Sequence, residues 1–407
     1  MKLFKFFVSK IFLRRIVPAI GIILLICLSN YTTFIAARTV FSTYQGYQET
    51  RALNQDGNYI ANLDPNNPVD FGAIDADKTK AVYDYLSSNF DYAFYVDGFM
   101  VSIPNRDDME ISLCYMNEAY YQLSQFHLSQ GTGLTFDSHF DGNNEIPILI
   151  GKGLSKTYPV GSTIDLEVPA LGQEITLRVQ GVLEQNAYHS NYYTLNSKSY
   201  YNFSIILPVN EEFLDHATLD LRVNGLMNIV ILQTTEDKIS DLRAFIQDTL
   251  GMKLNFFSQQ DNYEYFNEYY FHSLKIVAVT SVILLLLITC LSVWNALVGI
   301  RLMLKDLTIN LLVGLSYSKL RKMFYSYFGI LFLINLVIVF AITAFNRYGC
   351  WLRKDTTFAT YGLFGLIGID WLSLLAVVFT DIVIGVVVVE CMLWRIKKVP
   401  ISLGVLQ

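Results

Sequence analysis

Four long apolar runs constrain this chain more than any single residue does. Residues 16–37, 276–300, 324–345 and 371–394 are predominantly apolar, and each run holds at least 22 residues. About 20 residues cross a hydrocarbon core at 1.5 Å rise per residue. Lipid offers no partner for backbone N–H and C=O groups, so such runs must be helical. A mostly polar segment, residues 38–275, separates the first run from the second. The spacing predicts a membrane protein with four transmembrane α-helices in a one-plus-three layout. An α+β extracytoplasmic domain is inserted between spans 1 and 2.

Composition agrees once its clustering is seen. The chain is 53% hydrophobic and 16% charged, a low charge content for a soluble protein. The first run reads as an uncleaved anchor rather than a signal peptide. Its apolar core is long, and no small-x-small site follows it at once. Ile26 stands where a lipidation site before Cys27 would need a small residue.

Basic residues set the orientation. Residues 1–15 read as a basic amphipathic helix at the cytoplasmic surface, residues 301–323 as a cytoplasmic loop and residues 395–407 as a cytoplasmic tail. Together they carry 13 Lys and Arg against one acid, Asp306. Both termini are therefore predicted cytoplasmic, with residues 38–275 and the loop 346–370 outside. The large segment holds 14 Lys and Arg and 31 Asp and Glu, a net of −17, while the whole chain is −6. Such a surface attracts cations, or simply confers solubility. The five cysteines, with Cys27, Cys290 and Cys391 in spans, read as free thiols.

The external segment mixes periodicities. Residues 78–88 read as an amphipathic helix, and so do residues 238–250 after the capping-type run Thr234-Thr235-Glu236-Asp237. Residues 145–150, 163–168, 174–183, 203–208 and 227–233 read as strands. Residues 259–270 continue the second span outward as a helix, and residues 38–50 continue the first, the two forming a stalk.

Motifs for catalysis are missing from the sequence. Gly151-Lys152-Gly153 is not a phosphate-binding loop, because the upstream glycine and the following Ser or Thr are absent. His127, His139, His189, His216 and His272 lie far apart and form no metal-ligand pattern. The chain thus reads as a non-enzyme that binds no cofactor or metal of its own. Its acidity excludes nucleic acid as a partner. Membrane lipid is the one partner its composition demands.

The loop 301–323 is more telling. Leu304, Leu307, Leu311 and Leu315 fall on one helical face, and Gly314 then ends the helix before a basic return to the membrane. The order basic, acidic, apolar, then Gly eight residues after the acid, then Ser, resembles FtsX-like permeases of the MacB type. Asp306, Gly314 and Ser316 match that order, while Asp306 stands where the family usually has Glu and Leu312 where it has a small residue. Ile148 to Ile164, with Val160-Gly161 and Ile164 in its turn, also resembles the external domain of that family, as does Val179-Gln180-Gly181-Val182. The tail Lys397 to Leu403 resembles its Pro-containing ending.

The resemblance implies a permease subunit of an ATP-binding-cassette transporter in the bacterial plasma membrane, working as a homo- or heterodimer with a second permease chain. A separate cytoplasmic ATPase, holding the ATP and Mg, would dock on a coupling helix carrying Asp306, Leu307, Leu311, Gly314, Leu315 and Ser316. Work would be transmitted outward for export, extraction or resistance involving peptides, drugs or lipoproteins. A cationic peptide or an adaptor protein is a candidate external partner. A second reading is a non-transport signalling component acting on a cell-wall enzyme or a sensor.

Two further groups stand out. Asp381 lies near the middle of the fourth span, where a carboxylate is costly, and Asn295 and Asn335 are its candidate partners. Its role is either packing or conformational coupling. Glu390, about 180° away on the helix, is expected near Arg395. Tyr188, Tyr192 and Tyr193 lie in a Tyr-, Asn- and Ser-rich stretch that either contacts a substrate or partner or is a plain surface loop.

Overall fold

A computed structural model describes residues 16–103, 109–124, 126–140, 144–192 and 194–398. The expected helix over residues 1–15, Tyr193 and the tail motif around Pro400 lie outside the described residues.

In chain order the helices are α1 (Ile16–Thr50), α2 (Ala76–Asn89), α3 (Glu118–Ser124), α4 (Glu211–His216), α5 (Leu219–Met227), α6 (Glu236–Leu250), α7 (Gln259–Tyr265), α8 (His272–Leu312), α9 (Tyr317–Leu352) and α10 (Gly368–Lys398). The first strands are β1 (Tyr59–Leu63), β2 (Asp91–Ala93), β3 (Tyr95–Ser102), β4 (Glu110–Asn117), β5 (Leu128–Gly131) and β6 (Ile146–Ile150). Then come β7 (Thr163–Val168), β8 (Gln173–Leu183), β9 (Tyr188–Asn191), β10 (Thr194–Tyr200), β11 (Ser204–Val209), β12 (Val230–Leu232) and β13 (Leu254–Phe257).

The chain forms two compact units. The first comprises the described residues up to Phe41, His272–Asn346 and those from Gly368 on. Among the described residues, four helices are long and apolar enough to cross a membrane. Each exceeds its apolar run, because polar residues at the ends continue the helix once the middle is helical. The second-span helix is the longest, 54 residues from Gln259 to Leu312, with a π-helical turn at Phe266–Phe271. The unit's core gathers Ile22 and Ile26 of α1, Ile300 and Leu307 of α8, Phe324 and Phe328 of α9, and Val388 and Met392 of α10. Val279, Ile283, Leu286 and Leu287 on α8 and Leu375 and Phe379 on α10 point outward. Apolar groups on both the inner and the outer surface suit a lipid environment.

The second unit, Ser42–Phe271 with Arg347–Ile367, is α+β. Its larger sheet has the order β3-β4-β11-β6-β8-β5, with β7 also on β8. The pairs β4–β11 and β6–β8 are parallel and the other pairs antiparallel. A second, antiparallel sheet has the order β13-β1-β12-β2. On β7, Ile164, Leu166 and Val168 turn inward while Thr163, Asp165 and Glu167 face water, the alternation of a half-buried strand. On α2 the buried Thr79, Val82, Tyr83 and Leu86 form one stripe, and the Asp75 carboxylate accepts from the N–H groups of Asp77 and Lys78. On α6 the stripe is Ile239, Leu242, Ile246 and Leu250. Each such Leu or Ile contributes about 1.5–3 kcal/mol when fully buried.

Some boundaries differ from the sequence reading. The stretch 227–233 is strand only over Val230–Leu232, because α5 runs to Met227. Thr235 occupies the N-cap of α6 but makes no side-chain cap hydrogen bond. Strands β3 and β4 carry too little alternation to be read from sequence: β4 is buried over Ile111–Met116 on both faces.

The loop after α9 is a larger departure. Residues 347–367 belong to the second unit rather than forming a free connection. Trp351 packs edge-on against Phe203 at 5.3 Å and against Tyr361 at 5.1 Å. The Asn186 amide donates to Tyr361 O at 2.8 Å and the Asn202 amide to Ala359 O at 2.9 Å.

Candidate functional site

Between α8 and α9 the chain reverses in a tight turn. The helix expected to end at Gly314 is the end of α8, which runs unbroken to Leu312. Gly314 adopts φ +104°, a conformation that residues with a Cβ rarely adopt. Its N–H donates to Leu311 O at 3.1 Å, and that of Leu315 to Asn310 O at 2.9 Å. Ser316 Oγ accepts from the Lys319 N–H at 3.3 Å as α9 begins. Asp306 is half-buried, and its carbonyl accepts from the Asn310 amide at 2.7 Å.

The apolar face behaves differently from its sequence reading. Leu304 and Leu307 are buried against Leu320, Met323 and Phe324 of α9 and Leu393 of α10, so they pack within the chain. Leu311 and Leu315 lie at the edge of that cluster, half-buried. The apolar groups left facing outward at the turn are Leu312 and Val313, 58% and 84% exposed. They were missed because Leu312 lies off the Leu304–Leu307–Leu311 face and Val313 follows the end of the helix.

Within the same unit, a polar row runs between α1 and α10. Asp381 Oδ2 accepts from Asn30 Nδ2 at 3.1 Å. The partner is therefore Asn30 and neither Asn295 nor Asn335. Asn335 donates to Leu331 O of its own helix at 2.9 Å, and Asn295 lies against Gly21 of α1. Nearer the other end, Arg38 Nε donates to the fully buried Asp370 Oδ1 at 2.9 Å. Ser29 and Thr33 share the buried face of α1 with Asn30, and their hydroxyls have no hydrogen-bond partner among the described residues. The second carboxylate oxygen of Asp381 has none either. A cavity of about 330 Å³ lies beside Asp381, lined by Tyr325, Phe328, Phe332 and Gly385 among others. Glu390 accepts from Arg321 at 2.8 Å and from the Tyr325 hydroxyl at 3.0 Å, so its cation is Arg321, not Arg395.

In the second unit, the Tyr-rich stretch forms the hairpin β9–β10. It lies along the last two turns of α1. Ser42, Gln45, Gly46 and Glu49 fall on one face at spacings of three and four. Ser42 Oγ donates to Asn196 O at 3.1 Å, and Lys198 Nζ to Gln45 Oε1 at 2.6 Å. Both Glu49 oxygens accept from the Ser190 N–H at 3.1 Å, and His189 Nδ1 lies 3.3 Å from Glu49. A Cβ on Gly46 would stand 2.0 Å from Leu195 O, so only glycine permits this approach. Tyr188 lies under Lys198 Nζ at 4.3 Å, and Tyr192 is half-buried on a core that includes Tyr120 and Met116. Glu49 and Gly46 carried no sequence signal beyond sitting on a helix extension.

Burial raises the hydroxyls of Tyr95, Tyr120 and Tyr201 well above their usual value. Tyr95 stacks on Tyr120 at 4.7 Å, and Tyr201 donates to Tyr95 at 2.9 Å. Neutral phenols make this a rigid floor beneath His189, which lies 4.7 Å from the Tyr95 ring. Among the described residues no group of three or more His, Cys, Asp or Glu could hold a metal ion.

No protein-family model matches the chain, and no curated protein matches it. Solved structures do. The periplasmic region of MacB from Actinobacillus actinomycetemcomitans is similar at 12% identity and a TM-score of 0.33, over 53% of this chain and 94% of that one. The extracellular domain of the noncanonic ABC-type transporter YknZ from Gram-positive bacteria is similar at 15% and 0.30, over 49% and 100%. A domain of a permease protein from Porphyromonas gingivalis is similar at 12% and 0.29, over 49% and 89%.

Proposed function

We propose that this chain is the membrane subunit of an ABC-type transporter, coupling ATP hydrolysis by a separate cytoplasmic ATPase to conformational work outside the bilayer. The observation that carries the reading is the company kept by residues 347–367. They fold into one unit with residues 42–271, although α8 and α9 lie between them in sequence. Two segments in one compact unit must be on the same side of a membrane, so an even number of spans separates them. On this reading the α8–α9 turn lies on the opposite side, with its basic residues Lys319, Arg321 and Lys322, in keeping with the positive-inside bias.

The turn is the proposed input. Leu312 and Val313 form an apolar tip, flanked by Tyr317 and the basic residues, for a groove on the ATPase. The output is the external unit. Within that unit the last turns of α1 hold the hairpin at Glu49 and Gly46. In this role the polar row Asn30–Asp381 and Arg38–Asp370 fixes how α1 sits on α10. A dimer with a second permease chain supplies the symmetry that two ATPase subunits need. Peptides, drugs or lipoproteins are the proposed cargo class.

The test is co-purification of the full chain with its ATPase. Val313→Asp and Leu312→Asp should abolish association and leave the melting temperature of the chain unchanged. Unaltered association of both variants would remove the proposed docking tip.

A further inference from the structure

The face of α1 that carries the hairpin clamp also forms one wall of a cavity of about 450 Å³ in the second unit. Tyr44 and Glu49 come from α1, Tyr120 from α3, Glu184 from the residue after β8, Tyr188 from β9, and Tyr201 from the turn before β11. We propose that this cavity binds an organic ammonium group carried on a small apolar body.

The chemistry of the walls selects that class. The lining holds two carboxylates and four tyrosine rings, with the imidazoles of His127 and His189 and the amides of Gln45, Gln48, Gln185 and Asn186, but no Lys or Arg. Glu49 is engaged by the Ser190 N–H and His189, which fixes its place and leaves lone pairs on its oxygens. Glu184 is exposed, and its carboxylate makes no hydrogen bond or ion pair among the described residues. Tyrosine faces attract cations through the ring quadrupole, as Tyr188 already does with Lys198 at 4.3 Å, which leaves the rings of Tyr44, Tyr120 and Tyr201 for a ligand. The tyrosines also supply the apolar contact that a bare metal ion would not use. An anion would meet both carboxylates, in a segment whose net charge is already −17. The size suits one small ligand or the first residues of a peptide.

The location gives binding a consequence. Gln45 and Glu49 both line the cavity and hold the hairpin, so a ligand there bears on the clamp, and by linkage the clamp bears on the ligand. This goes beyond the permease reading and is measured on the chain without an ATPase, so either can fail alone.

The experiment is calorimetric titration of the full chain in nanodiscs, with empty nanodiscs subtracted. Phenethylamine should bind saturably, and 2-phenylethanol, its uncharged counterpart, about tenfold or more weakly, some 1.4 kcal/mol. Glu184→Gln and Tyr44→Leu, both at exposed positions, should each weaken phenethylamine binding several-fold. A dipeptide amide with a free N-terminus and its N-acetyl form separate the two sources of the ammonium. If the free form binds tighter than phenethylamine, the ligand is a peptide N-terminus. If weaker, it is a free amine. Equal binding of amine and alcohol, or wild-type affinity in both variants, would overturn the proposal.

Discussion

Asn30 and Asp381 are 351 positions apart in sequence, yet Asn30 Nδ2 donates to Asp381 Oδ2 across 3.1 Å, both buried between apolar helices. The pair ties the first span helix to the last. A hydrogen bond between membrane helices contributes about 0.6 kcal/mol on average and up to about 1.7. Asp381→Leu should lower stability by about that much, because the Asn30 amide is left buried without its acceptor. Asn30→Leu with Asp381→Leu should recover part of the loss. A double-mutant cycle on thermal unfolding in detergent would show no coupling if the contact is incidental.

At the turn, position decides the effect of a leucine. Leu307 is 1% exposed and packs on α9 and α10. Leu307→Ala should destabilise the chain by roughly 2–5 kcal/mol through the cavity it leaves. Val313→Ala should be neutral within about 0.5 kcal/mol, since it removes exposed surface only. Melting curves of the two variants separate a packing residue from a docking residue.

Gly46 sets how closely the hairpin approaches α1. Gly46→Ala places a methyl 2.0 Å from Leu195 O, so the hairpin must lift. Hydrogen exchange at Ser190 should then rise at least tenfold, while exchange in α2 and α6 should stay as it is. Unchanged protection of Ser190 would mean that the clamp tolerates the shift.

Acid should loosen the start of the second unit. Asp64 accepts from the Asn66 N–H, pairs with Lys253 at 3.2 Å and accepts from the Asn67 amide, which together hold its carboxyl below the ordinary 3.8. A depressed native value stabilises the fold above the ordinary carboxylate range and is lost as pH falls through the native value. Exchange at Asn66 should therefore increase below about pH 3.8. Asp64→Asn should flatten that acid limb, with faster exchange already at pH 7.

The two cysteines of the second unit should react very differently. Burial pushes the Cys114 thiol up to about 12, whereas Cys350 is partly accessible. A maleimide at pH 7.5 should label Cys350 and spare Cys114 until the domain unfolds. Mass spectrometry of the labelled peptides reads this directly.

The sequence by itself determined the four apolar helices, the mixed strands and helices of the inserted segment, and a turn at Gly314. Each rests on local information: run length, a period of 2 or 3.6, or a residue free to adopt φ +104°. Only the tertiary structure decided which helix faces pair, because a wheel gives the direction of a side chain within one helix but not the identity of its neighbour. So Asp381 met Asn30 rather than Asn295 or Asn335, Glu390 met Arg321, and Leu307 turned out to be core. For the same reason the Tyr188 stretch, by composition either a contact loop or a plain surface loop, is a hairpin seated on the last turns of α1. The loop 347–367, unremarkable by itself, was claimed by Phe203, Asn186 and Asn202, since contacts between distant segments leave no period in either one.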